Sequence, residues 1–169
     1  MKTEIRKALN DQINAELWSA YLYLSMSLDA EAKTLKGIAK WFFVQWLEEQ
    51  DHARIFQNYM NDRGVKVELQ PIASVANEWA GPLEMFRDTL DHEKEVTGMI
   101  HDLVKLAFDH QDFATLSRLE WFVDEQVEEE STASDLLQLF ENADGDYSVI
   151  LKLDRELAER EYKQAEPLK

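Results

Sequence analysis

Cysteine is absent from this 169-residue chain, which excludes a disulfide framework, a thiolate zinc site and a redox thiol. Glycine and proline number only 5 and 3, too few to punctuate a many-stranded or loop-rich protein. Basic residues are also scarce. Against 34 Asp and Glu stand 18 Lys and Arg, and the net charge of −16 argues against a general binder of phosphate backbones and for cations as small partners. No run is apolar for long enough to span a bilayer, and the start Met1-Lys2-Thr3-Glu4-Ile5-Arg6-Lys7 lacks an apolar signal core. These deficits predict a soluble, unexported, cytoplasmic protein that binds neither nucleic acid nor membrane.

What is present is helical material. The chain is 45 % apolar and 11 % aromatic, enough for one sizeable core, and its long runs rich in Ala, Leu, Glu, Lys, Gln and Met predict an all-α protein in a single domain over 1–169. Ile5, Leu9, Ile13, Ala20 and Tyr23 form a first apolar stripe, and Leu35, Ile38, Phe42, Trp46, Ala53, Phe56 and Met60 a second, ended by Gly64. Phe86, Leu90, Val96, Ile100, Leu103 and Ala107 mark a third helix opened by Gly81-Pro82, and Leu116, Leu119, Phe122, Ala133, Leu136 and Phe140 a fourth. Together they predict a four-helix bundle over about 3–142. The segment 65–81 has no helical period, and about seventeen extended residues reach roughly 55 Å. A 29-residue helix is about 44 Å long, so the segment is read as a long crossover along the bundle. A shorter amphipathic helix is expected over 147–160, then a polar tail.

Each stripe is interrupted near mid-length by polar residues. The interruptions are Glu16, Glu49 with His52, Glu93, and Gln126 with Glu129. Glu49 lies 33 positions after Glu16 and Gln126 lies 33 after Glu93, while His52 and Glu129 each lie 36 after those same glutamates. The two halves therefore read as a duplicated helix pair whose polar residues meet in one layer. Up to four buried glutamates would repel one another unless protonated or paired with cations, and no Lys or Arg lies on the stripes at that level. Metal is the economical counter-charge. Oxygen-rich ligation with one imidazole suits iron or manganese better than structural zinc. Because Gln126-x-x-Glu129 replaces a second Glu-x-x-His, two metal positions there should be unequal. Glu48, Glu125 and Glu128 flank these residues and suggest a third, outer site; Tyr23 is placed to meet a carboxylate or to give up an electron. His92, His101 and His110 match no ligand pattern and are read as surface or supporting residues.

Leu9–Leu17, Glu48–Ala53, His92-Glu93 and Trp121–Glu130 give the whole chain a resemblance to the ferritins, specifically the bacterial non-haem kind. The resemblance implies a ferroxidase. Glu16, Glu49 and His52 would hold one iron; Glu49 would bridge to a second held by Glu93 and Glu129, with Gln126 close by; and Glu48, Glu125, Glu128 and Glu129 would form a third iron site. Tyr23 resembles the tyrosine found beside such centres. The resemblance further implies Fe(II) with dioxygen or hydrogen peroxide as substrates, a twenty-four-subunit cage in which ferric mineral collects, and a fifth helix at a symmetry-axis contact. Gln50 after Glu49 and the missing second Glu-x-x-His argue against haem and the bacterioferritins. The mini-ferritins that protect DNA lack a fifth helix and fit poorly. The alternative is a non-storing di-iron peroxidase of the rubrerythrin type, against which the absence of cysteine counts.

Overall fold

The computed structural model describes residues 1–168. Its helices are α1 (Thr3–Ala32), α2 (Lys36–Asp62), α3 (Pro82–Asp109), α4 (Phe113–Ala143) and α5 (Tyr147–Leu157), followed by a 3-10 turn at Glu166–Leu168; no strand occurs among the described residues. Helices α1 and α2 pack as one antiparallel hairpin and α3 and α4 as another. No helix among the described residues is long and apolar enough to cross a membrane.

The crossover runs the length of α1. Glu68 N donates to Asn10 Oδ1 (2.8 Å), Gln70 Nε2 to Asp11 Oδ1 (2.7 Å), Trp18 Nε1 to Ser74 O (3.4 Å), Ser25 Oγ to Ala76 O (2.6 Å) and Trp79 N to Asp29 Oδ2 (3.2 Å). The partners advance together along both segments, so the chain reaches the far end of α1 before α3 begins. That route makes α3 parallel to α2. Gly64 closes α2 at φ +67°, a conformation that favours glycine.

Helix ends are fixed by side chains from distant parts of the chain. Asp112 caps α4 by accepting from Thr115 N (3.2 Å), and its carboxylate also takes Arg63 Nη1 (3.0 Å) from the end of α2. Asp154 of α5 accepts from Ile38 N (2.9 Å), capping α2 from 116 residues away. The two helices meet there without a side chain between them: a Cβ on Gly37 would lie 1.5 Å from Asp154 O. Helix α5 ends at Leu157, short of the Arg160 that its periodicity suggests. The reason is that Lys40 Nζ takes Ala158 O (2.6 Å) and Arg160 turns back onto α2. The polar tail is accordingly a strap lying against the bundle.

Two apolar clusters fill the bundle. One gathers Tyr23, Met26, Ile38, Phe42, Phe86 and Phe140 toward the α5 end. The other gathers Ile5, Leu9, Phe56, Met60, Ile100 and Phe122 at the opposite end. Burial of each such large side chain contributes roughly 1.5–3 kcal/mol. Between the clusters lies a polar layer.

Candidate metal centre

Glu16 comes from α1, Glu49 and His52 from α2, Glu93 from α3, and Gln126 and Glu129 from α4, each at the break in its helix's apolar stripe. None is more than 8 % exposed, a degree of burial that ionised carboxylates reach only when paired or bound to metal.

The first hairpin supplies a compact set. His52 Nδ1 stands 3.3 Å from Glu49 Oε2 and 4.0 Å from Glu16 Oε2, and one ligand atom from each of the three residues falls within 4.8 Å of the others. The other Glu16 oxygen, Oε1, accepts from Gln12 Nε2 (2.8 Å), but Glu16 Oε2 is buried with no hydrogen-bond partner. Burial, then the Glu49 charge, pushes Glu16 up to about 8. Burial likewise raises Glu49, assisted by the charges of Glu93 and Glu129. A set of two carboxylates and an imidazole with one unsatisfied oxygen fits a divalent cation.

The second hairpin uses its polar residues differently. Tyr23 OH donates a short hydrogen bond to Glu93 Oε1, and Gln126 Nε2 donates to Glu93 Oε2 and to its backbone oxygen, both at 3.2 Å. Burial and the Glu129 charge raise Glu93 to about 8. Glu129 Oε2 accepts from Gln45 Nε2 (3.1 Å). Glu93 therefore stands in hydrogen bonds and outside both ligand clusters. The second cluster is His52, Glu125 and Glu129, with His52 Nε2 3.9 Å from Glu125 Oε1. His52 thus faces the inner carboxylates with one nitrogen and the outer ones with the other. The Trp121 ring meets it edge-on at 5.5 Å between centroids.

Of the residues assigned to an outer site, Glu125 is half-buried and Glu128 exposed, while Glu48 Oε2 is taken by Arg160 Nη2 at 2.5 Å. Burial raises Glu48 to about 7, opposed by Arg160. Tyr23 is fully buried, stacked on Phe42 at 6.1 Å. His101 lies at the surface, but His92 is buried behind Tyr23, its Nε2 2.7 Å from Ser19 Oγ and burial holding it down at about 4. Sequence reasoning missed Gln12 and Gln45. Each lies one helical turn before a ligand glutamate, four positions ahead of Glu16 and Glu49, and that repeated offset is a usable signal. It also missed Arg160, for which no periodic signal exists.

A family model described as a ferritin-like domain matches residues 6–143. The chain is 33 % identical over 162 residues to the bacterial non-heme ferritin of Staphylococcus aureus, covering 96 % of this chain and 98 % of that one. It is 34 % identical over 164 residues to the Staphylococcus epidermidis protein of the same name, covering 97 % and 99 %. Among solved structures, an open pore ferritin from the hyperthermophilic archaeon Archaeoglobus fulgidus superposes with a TM-score of 0.94 at 42 % identity, over 95 % of this chain and 99 % of that one. A closed form of the same ferritin, engineered by site-directed mutagenesis, gives 0.95 at 41 % identity, over 96 % and 99 %.

Proposed function

The chain belongs to the ferritin family, and from that premise we propose that it is an iron-storing ferroxidase of the non-haem kind, working in the cytoplasm. The observation that carries the reading is the unpartnered, buried Glu16 Oε2 beside Glu49 and His52. Fe(II) is the substrate. One ion takes Glu16, Glu49 and the Nδ1 of His52. A second takes Glu93 and Glu129, with Glu49 between the two positions and Gln126 alongside. Each ion gives one electron to dioxygen or to hydrogen peroxide, which also takes up protons: two Fe(II) reduce dioxygen to peroxide, or peroxide to water.

The chain's own groups prepare that exchange. Glu16 and Glu93, raised to about 8, hold protons at neutral pH in the metal-free protein and release them as the cation enters. Gln12 orients the bound oxygen of Glu16 and leaves the other free. Tyr23 and Gln126 hold Glu93 until a cation replaces a donor. The apolar clusters on both sides exclude bulk water, and Glu48, Glu125, Glu128 and Glu129 are the outer carboxylates that would hold a third iron. We further propose assembly into a cage of twenty-four subunits, with α5 at a symmetry-axis contact.

Aerobic loading of the metal-free protein with excess Fe(II), followed by desalting, tests the reading. Tens or more irons retained per chain is the expected result. Retention of about two favours the rubrerythrin-type di-iron peroxidase, and retention of none overturns the metal reading.

A further inference from the structure

The strap after α5 does more than cover α2. Its lower end is pinned at Asp51, a buried carboxylate that accepts from Tyr162 OH (2.6 Å), Ala165 N (3.1 Å) and Arg54 Nη1 (3.1 Å). Ala165 and Leu168 pack onto the apolar cluster beneath. Its upper end is held where Lys40 Nζ takes Ala158 O at 2.6 Å. Between these two fixings the guanidinium of Arg160 lies over the Trp41 ring, 4.5 Å from its centroid. There its Nη2 donates to two acceptors at once, Glu48 Oε2 at 2.5 Å and Gln45 Oε1, while Nη1 donates to Trp41 O at 3.4 Å.

The second bond reaches the metal layer. An amide whose oxygen is claimed by Arg160 must turn its NH2 the other way, and Gln45 Nε2 is found on Glu129 Oε2 at 3.1 Å. One guanidinium therefore neutralises Glu48 directly and immobilises Glu129 through Gln45. Glu48 also lies within electrostatic reach of Glu125, Glu129 and His52. A positive charge thus already sits against the carboxylates that the functional reading assigns to a third iron.

We propose that Arg160 is a tethered counter-ion that keeps the outer carboxylate group closed: a third iron enters at Glu48, Glu125, Glu128 and Glu129 by displacing the guanidinium. Withdrawal of Arg160 frees the Gln45 amide to turn and releases Glu129 from its donor. The inner pair of ions is then filled first and the outer site afterwards, an order set by competition rather than by distance. Arg160 acts through Glu48 and Gln45 and is a positioning residue. The inference rests on the ferroxidase reading above.

Anaerobic titration of the metal-free protein with Co(II), followed by calorimetry and visible absorption, tests it. The intact protein is expected to bind two ions tightly per chain and a third more weakly. In R160Q the third binds about tenfold more tightly while the first, at Glu16, Glu49 and His52, is unchanged. R160K, which keeps the charge, stays near the parent, and adding E48Q to R160Q cancels the gain. Tyr162→Phe, which loosens the strap and leaves every carboxylate in place, gives a smaller gain in the same direction. A third ion bound equally or less tightly in R160Q overturns the gate while leaving the inner site standing. Absence of tight Co(II) in every variant overturns the metal reading and the gate with it.

Discussion

In the α1–α2 hairpin, Glu16, Glu49 and His52 bring ligand atoms within 4.8 Å of one another and leave a carboxylate oxygen without a donor. In the α3–α4 hairpin, Glu93, Gln126 and Glu129 stand at the same spacing, but Tyr23, Gln126 and Gln45 occupy the carboxylates. The backbone register is duplicated while the chemistry is not. What separates the halves is the identity of the groups one turn away: His52 adds a ligand where Glu129 stands in the other half, and Gln12 satisfies only one oxygen of its glutamate. An open set binds a cation at little reorganisation cost; a hydrogen-bonded set must first give up donors. The first position should therefore be the tighter.

The largest effect expected to break this comparison is at Glu49, which senses Glu16, Glu93 and Glu129 together. Glu49→Ala should lower the initial rate of ferric absorbance by more than about 100-fold, above the range usual for groups that merely support a ligand. A loss of only a few fold would mean that either half works alone.

Next in size is the cost of the open set without metal. Glu16 has a folded value of about 8 against an ordinary value of 4.5, so the folded state holds its proton longer and stability falls as pH rises from 4.5 toward 8. Glu16→Gln should raise the stability of the metal-free protein by roughly 3 kcal/mol at pH 7 and by almost nothing at pH 4.5, read from urea unfolding at both values. His92, held down at about 4, acts in the opposite sense, losing stability as pH falls below 6.5. The difference between the two proteins cancels its contribution. A variant no more stable than its parent at pH 7 would show that Glu16 carries no burial penalty.

The smallest effect sharpens the second half. Tyr23→Phe removes the hydroxyl donor that a cation must displace from Glu93 and should tighten the second Co(II) about tenfold while sparing the first. Equal tightening of both ions would show that the hairpins are not separable.

Helix spans and the polar layer were legible in sequence because both depend on local period: a glutamate in an apolar stripe announces itself three or four residues from its neighbours. Gly64 and Pro82 marked boundaries for equally local reasons. Other features depended on single long-range pairs, in which neither member is unusual where it stands. Asp154 caps a helix 116 positions away, Asp51 anchors a strap 111 positions away through Tyr162, and Arg160 reaches Glu48 across 112. His92 was read as a surface or supporting residue; it is the latter, and nothing in its neighbourhood foretells that Ser19, 73 positions earlier, will meet it in the interior. That Tyr23 meets a carboxylate was legible, but that the carboxylate is Glu93 was not, since spacing fixes which face a residue is on and not which partner it chooses there.

The missing side chain at Gly37 has a consequence for precision. With the Asp154 carbonyl where a Cβ would be, and the Asp154 carboxylate bonded to Ile38 N, α5 meets the bundle at an angle with almost no slack. Tyr147 and Val149, exposed on α5, are presented identically by every copy of the chain. In any object built from many copies, a deviation of a few degrees in one joint is repeated at each contact and accumulates around the ring. A glycine thus sets the manufacturing tolerance for whatever those copies build.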